Sequence, residues 1–278
     1  MPLSYIYWNI NPEIFNFFGI SIKYYGLIFG IGLLLCSGII TWIFKKENIP
    51  HANMNKLFVF GIISIFLGAR LGHCLFYEPE YYLNHPWEII LPVHFLPNGE
   101  VEYIGFQGLA SHGGTLGLII AMILYSLNTK EPIFKTLDIV AIAAPLGACF
   151  IRLANLMNSE IIGIPTTVPW AFVFERVDNL PRHPTQLYEA VAYLLIFFFL
   201  IFLYSTKKVM LNKGVYFGIS ISMIFTARFF IEFIKEKQVE FEENMNLDMG
   251  QLLSIPLILI AIGIIIYGLR KDSVPTRI

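Results

Sequence analysis

Several ionisable side chains lie inside or at the edge of long apolar stretches of this chain, where hydrocarbon surroundings cost each of them on the order of a few kcal/mol. Arg70, Arg152 and Arg228 are the cations, His112, Glu160 and Glu232 can exchange a proton, and Tyr25, Asn155 and Asn158 can hydrogen-bond. Arg152 and Asn155 are spaced i,i+3, and Arg228 and Glu232 i,i+4, so each pair projects from one face of a helix. His183, Gln186, Tyr188 and Glu189 lead into a further apolar run. His112-Gly113-Gly114 opens another, and the free N–H groups of a helix start favour an anion. Gly68, Gly72, Gly108 and Gly117 lack side chains and let helix backbones approach closely. Guanidinium, imidazole and carboxylate groups together are equipped to bind an anion and to move a proton beside it.

Each residue also has a purely structural reading. Arg228 and Glu232 suit an interhelical ion pair. Arg70 suits a snorkelling side chain, and Tyr25 an interfacial aromatic belt. His112 fits a structural role at a helix start, and Asn155 and Asn158 fit hydrogen bonding between helices. What favours a ligand is convergence: three arginines, a histidine and carboxylates at one depth are costly to keep without an anion. Asp138, toward the other end of its helix, reads as a helix-start or packing residue.

The elements that must position these groups follow from composition. Of 278 residues, 56% are hydrophobic and 14% charged, and the mean hydropathy is +0.65, more apolar than a soluble domain of this length tolerates. About 20 mostly apolar residues cross a bilayer as a helix, and open sheets cannot. Spans are expected at roughly 20–44, 57–77, 109–127, 137–157, 187–205, 214–234 and 250–270. The fold class is therefore all-α, a polytopic integral membrane protein with about seven transmembrane helices. Residues 1–278 are expected to form a single transmembrane domain with an external segment at about 78–108.

Long and short connections alternate. The short ones hold Lys45, Lys46, Lys56, Lys130, Lys135, Lys207, Lys208 and Lys213, and Arg270, Lys271 and Arg277 follow the last span. The long ones hold most acids, among them Glu78, Glu80, Glu100, Glu102, Glu160, Glu175, Asp178, Glu240, Glu242 and Glu243. Cations accumulate on the cytoplasmic side, so the N-terminus is expected outside and the C-terminus in the cytoplasm. That topology places the ionisable set near the outer face. The N-terminus lacks a basic region ahead of an apolar core and cleavage site, so the first helix is expected to direct insertion.

A formal net charge of -1 argues against a nucleic-acid partner. Cys36, Cys74 and Cys149 lie in apolar stretches without paired spacing, which indicates neither a disulfide framework nor a metal site.

Read from end to end, the chain closely resembles the bacterial phosphatidylglycerol–prolipoprotein diacylglyceryl transferases. The motifs that carry the resemblance begin with Lys23-Tyr24-Tyr25-Gly26-Leu27, Gly68-Ala69-Arg70-Leu71-Gly72 with Leu75-Phe76-Tyr77, and Ser111-His112-Gly113-Gly114. They continue with Arg152-Leu153-Ala154-Asn155 through Asn158-Ser159-Glu160 to Gly163, and with Arg182-His183-Pro184-Thr185-Gln186-Leu187-Tyr188-Glu189. Arg228-Phe229-Phe230-Ile231-Glu232 and Met249-Gly250-Gln251-Leu252-Leu253-Ser254-Ile255-Pro256 complete the series. Ala154 and Ser159 stand where that family usually has glycine, Lys235 stands where some members have arginine, and the 78–108 stretch is longer than in compact members.

The resemblance implies an enzyme of the bacterial cytoplasmic (inner) membrane, with its site toward the periplasm. It would move diacylglyceryl from phosphatidylglycerol to the lipobox cysteine thiol of a prolipoprotein signal peptide, forming a thioether and releasing glycerol phosphate. Phosphatidylglycerol, other membrane lipid and the prolipoprotein are the implied partners, with no metal or organic cofactor. Matching motif positions makes Tyr25, His112, Arg152, Asn155, Glu160, Gly163, Arg228 and Glu232 the functional residues, joined by Arg70. On this reading Arg152 and Arg228 grip the phosphate, Tyr25 and Asn155 hydrogen-bond the headgroup or glycerol oxygens, and Gly163 shapes a loop over the site. Gly113 and Gly114 offer backbone N–H groups. The thiol proton goes to His112, or alternatively to Glu160 or Glu232. The rival class is a proton or anion transporter or channel, which would need ionisable groups reaching both faces; apart from Asp138, the inner halves of the spans hold almost none.

Overall fold

The computed structural model of the protein describes residues 5–17, 20–96, 99–103, 108, 110–206, 211–237 and 245–270. Among these, long helices predominate: α1 Tyr24–Lys46, α2 His51–Phe76, α5 Ser111–Thr129, α6 Ile133–Asn158, α7 Thr185–Ser205, α8 Val215–Glu232 and α9 Met249–Arg270. All except α5 are long and apolar enough to cross a membrane, which makes the chain an integral membrane protein. At 19 residues α5 is no shorter than α8, but it opens on the polar residues Ser111 and His112, followed by two glycines, which makes it less apolar. Leu34, Ile62, Leu195 and Leu259 turn outward from their helices, as lipid-facing side chains do. Of the charges used for topology, Lys207, Lys208, Lys271, Arg277, Glu240, Glu242 and Glu243 lie outside the described residues.

Short strands β1 Ile6–Trp8, β2 Glu13–Phe17 and β3 Ile20–Lys23 precede α1, and between the long helices lie α3 Pro79–Asn84, α4 Trp87–Ile90, β4 Val93–Phe95, β5 Val101–Tyr103, β6 Phe172–Phe174 and β7 Pro181–Arg182. The first span begins at Tyr24 rather than at 20, because Ile20–Lys23 pairs antiparallel with β2. The second begins at His51, six residues before the apolar run, since polar residues there are good enough helix formers to extend it.

The chain forms two compact units, Met1–Ile43 with Leu137–Ile278, and Phe44–Thr136. In the smaller one, α2 and α5 meet backbone to backbone through glycines. A Cβ on Gly72 would fall 2.7 Å from the Gly113 Cα, and one on Gly68 or Gly117 would also strike the facing helix. The segment after α2 folds around Glu88, which is 2% exposed and accepts from the Phe95 N–H at 2.9 Å and the Tyr81 hydroxyl at 2.6 Å.

In the larger unit, β1 runs parallel to β6, which pairs antiparallel with β7. This small sheet rests on Leu156, Ile162, Phe172 and Phe174, with Trp8 and Leu187 packed against them. Gly218 of α8 admits Ala261 and Ile265 of α9.

Asp138 has a different task from starting its own helix. Its fully buried carboxylate reaches from α6 to the beginning of α8, accepting the N–H groups of Asn212, Lys213, Gly214 and Phe217 at 3.0–3.2 Å. It thereby satisfies the orphan donors of a second helix and complements its dipole. Hydrogen bonds to a charged group contribute about 1.5–3 kcal/mol each and are not additive, so Asp138→Ala is expected to destabilise the fold by on the order of 3 kcal/mol. Thermal unfolding of the purified protein measures this; an unmoved midpoint would show that water replaces the carboxylate.

Candidate active site

The last turn of α6 carries Arg152, Asn155 and Asn158 on the side that meets the start of α7. The chain then turns sharply through Ser159, Glu160 and Ile161. Ser159 and Ile161 adopt φ of 54° and 59°, a left-handed conformation that costs roughly 1–2 kcal/mol per residue and is least suited to a β-branched side chain. The first turn of α7 holds this strained turn in place: Gln186 Nε2 donates to the Glu160 carbonyl at 2.7 Å, and Thr185 Oγ1 to the Ile161 carbonyl at 2.8 Å. Glu160 is thus presented beside α6, where Asn155 Nδ2 and Asn158 Nδ2 donate to its Oε1 at 2.8 and 3.2 Å.

Arg152 is heavily engaged. Its Nη1 donates to Asn155 Oδ1 at 3.0 Å, its Nε lies 2.5 Å from Glu189 Oε2, and it hydrogen-bonds Tyr193. Glu189 is fully buried in α7, and its other oxygen lies 3.3 Å from Lys235 Nζ. Lys235 also reaches Glu232 Oε2 at 3.0 Å, and that oxygen stands 3.8 Å from Arg228 Nε. Charges therefore alternate through Arg152, Glu189, Lys235, Glu232 and Arg228, drawn from α6, α7, α8 and the turn that follows α8. Arg228 is the least committed of the three cations: its side chain is 36% exposed, and its buried Nε has no hydrogen-bond partner among the described residues. Tyr25, half-buried at the start of α1, lies within electrostatic reach of Glu160 and Arg152.

Gly163 braces this arrangement from behind. Its N–H donates to the His183 carbonyl at 2.9 Å, and it bridges to Lys235. A Cβ there would lie 2.6 Å from the His183 carbonyl oxygen and 2.7 Å from that of Ile234. Arg182 donates from Nη1 to the Gly163 carbonyl at 3.1 Å and pairs with Asp178 and Glu236. Hydrogen bonding to Arg182 holds the Asp178 carboxyl below its ordinary range and raises the guanidinium in turn. Burial lowers His183.

Tyr25, Arg152, Asn155, Glu160, Gly163, Arg228 and Glu232, all expected from sequence, thus share one compact unit. Arg70, His112, Gly113 and Gly114 belong to the other. There Arg70 is 4% exposed and donates to the carbonyls of Ile89 at 3.1 Å, Glu88 at 2.6 Å and Gly108 at 3.4 Å, over the Tyr82 ring. It is tied to the backbone of the segment between α2 and α5 rather than snorkelling. Gly113 is a packing residue against α2, and the Gly114 N–H is donated to the Ala110 carbonyl at 3.1 Å. His112 is exposed in the first turn of α5. Burial raises the Glu88 carboxyl, but its hydrogen bonds from Phe95, Tyr81 and His94 outweigh that and leave it below its ordinary value. Burial and then the bond to Glu88 push the Tyr81 hydroxyl up to about 12.

Sequence reasoning passed over Glu189 and Lys235 as site residues. A carboxylate facing the inside of an apolar helix with no cation within four residues of it was the available signal for Glu189.

The family model for prolipoprotein diacylglyceryl transferase matches residues 12–267. A phosphatidylglycerol–prolipoprotein diacylglyceryl transferase of Bacteroides fragilis is 54% identical over 269 residues, covering 97% of both chains. Proteins of the same name from Chloroherpeton thalassium and Tolumonas auensis are 43% and 40% identical, each covering 96% of this chain and 96% and 99% of their own. With nearly its whole length matched, this chain belongs to the prolipoprotein diacylglyceryl transferase family and is a membrane-embedded transferase.

Proposed function

We propose that the enzyme moves the diacylglyceryl group of phosphatidylglycerol onto the lipobox cysteine of a prolipoprotein in the bacterial inner membrane. The acceptor thiol loses its proton, the thiolate attacks the glyceryl carbon, a carbon–sulfur bond forms, and the carbon–oxygen bond to phosphate breaks. Glycerol phosphate leaves. The observation that carries this reading is the state of the two arginines: Arg152 is held rigidly by Glu189 and Asn155, and the nearby Arg228 has an Nε without a hydrogen-bond partner among the described residues. A guanidinium in that state matches a phosphate and gains most as negative charge builds on the leaving oxygen.

Tyr25 and Asn155 supply hydrogen bonds to headgroup or glycerol oxygens, and Glu160 and Glu232 balance the arginines. His112 takes the thiol proton; an imidazole nitrogen can accept it, and this side chain is exposed. On this reading α5 is the seventh span, the N-terminus faces the periplasm, and the reaction takes place toward that side. The asymmetry of lysines and arginines among the connections supports this orientation.

The test is an assay of the purified protein with phosphatidylglycerol and a lipobox peptide. Lipidated peptide and glycerol phosphate are expected in equal amounts, and absence of both sinks the reading. The nucleophile belongs to the acceptor, so the protein's own thiols are spectators. Cys36 donates to the Ala143 carbonyl, and Cys74 and Cys149 are buried. Replacing all three with alanine is expected to leave transfer within about threefold of wild type; complete loss in a folded variant would contradict the assignment.

A further inference from the structure

Lys235 is 5% exposed just after the end of α8, and its backbone is fixed on both sides. It bridges to Gly163, while the Ile164 N–H donates to the Ile234 carbonyl at 3.0 Å and the Glu236 N–H to the Ile162 carbonyl at 3.1 Å. Its ammonium, with donors only, serves two carboxylates at once: Glu189 Oε1 at 3.3 Å and Glu232 Oε2 at 3.0 Å. These carboxylates are also the partners of the two arginines, but the arginines are treated unequally. Glu189 Oε2 closes on Arg152 at 2.5 Å, whereas Glu232 Oε2 stands 3.8 Å from Arg228 Nε.

Arg228 and Glu232 lie i,i+4 on one helix, a spacing at which such a pair closes readily. Instead, the oxygen that would close it is within hydrogen-bond distance of Lys235, and Arg228 Nε is buried without a hydrogen bond among the described residues. Room for the displaced carboxylate comes from α9, where a Cβ on Gly250 would fall 2.6 Å from the Glu232 carboxyl. Were the pair closed, an incoming phosphate would first have to break a charge-assisted contact.

We infer that Lys235 is a positioning residue that draws Glu232 away from Arg228 and so keeps that guanidinium open to the anionic headgroup of the donor. The inference rests on the donor reading above. Glu189 is the second anchor: by holding both Arg152 and Lys235, it ties the setting of one arginine to the availability of the other.

The experiment is a titration of the purified full-length protein in neutral detergent with short-chain phosphatidylglycerol, with phosphatidylcholine of the same chain length as control. Lys235→Met is expected to raise the dissociation constant for phosphatidylglycerol by about tenfold or more, with the response to phosphatidylcholine unchanged. Adding Glu232→Gln removes the carboxylate that would collapse onto Arg228, and the double variant is expected to bind within about threefold of wild type. A folded Lys235→Met variant that binds as wild type overturns the inference. So does a double variant as weak as the single one, because a merely structural lysine would not be rescued by loss of its partner. Should Lys235→Met not fold, the double variant, which loses a matched pair of charges, decides alone: binding within threefold supports the inference and a tenfold loss overturns it. If wild type neither binds phosphatidylglycerol nor transfers from it, the donor reading itself fails and the inference with it, a pattern distinct from every variant outcome.

Discussion

Arg228→Ala is expected to reduce diacylglyceryl transfer by about 10²- to 10³-fold while hardly shifting the thermal unfolding midpoint. The two readouts separate because Arg228 contributes little to the resting fold. Its side chain is 36% exposed, its nearest carboxylate oxygen is 3.8 Å from Nε, and that oxygen is already satisfied by Lys235. Truncation therefore leaves no new buried charge behind. What it removes, on the proposed role, is the guanidinium that meets the charge developing on the departing phosphate. Transfer kinetics and calorimetry on the same preparation check the pair of outcomes; near wild-type turnover would remove Arg228 from the phosphate-binding role.

Arg152→Ala is expected to lose transfer to a similar extent and, unlike the first variant, to cost the fold about 3–5 kcal/mol. The difference lies in Glu189, which is fully buried and has Arg152 as one of its two cationic partners. Removing Arg152 leaves this buried carboxylate with Lys235 as its one cationic partner among the described residues, whereas removing both members of a buried pair is often close to neutral. Arg152→Ala combined with Glu189→Gln should accordingly recover most of the lost stability and none of the lost activity. Unfolding measurements on the single and double variants test the first half, and the peptide assay tests the second. If the double variant is no more stable than the single one, the 2.5 Å contact is not what holds this end of α6.

How much of this was legible in the sequence depends on the range over which each feature is determined. Spans are local, so the apolar runs locate six membrane-length helices and α5 to within a few residues at most ends. The exceptions are Ile20–Lys23, where an alternating segment finds a strand partner, and His51, where a polar start extends the helix. Pairs within one helix, Arg152 with Asn155 and Arg228 with Glu232, are likewise legible from spacing. Their consequences are not, because Lys235 intervenes in the second pair from beyond the helix end.

Glu189 meets its cations only through other elements, and Arg70 finds its acceptors in the backbone of a segment whose fold no periodicity announces. Ser159 shows the same limit from the other side. A serine does not by itself announce a left-handed turn, yet its backbone sits at φ 54°, the kind of position glycine fills without strain.

The pairing of β1 with β6 has a consequence for biogenesis. Trp8 donates from Nε1 to the Leu156 carbonyl, a partner 148 residues further along the chain. At synthesis rates of about 5–20 residues per second, the leading strand must wait roughly ten to thirty seconds before its counterpart has even been made. During that interval β1 has no partner strand, and Trp8 Nε1 no acceptor at Leu156. A bulky tag placed ahead of Ile6 is therefore expected to delay the appearance of active enzyme more than its insertion into the membrane.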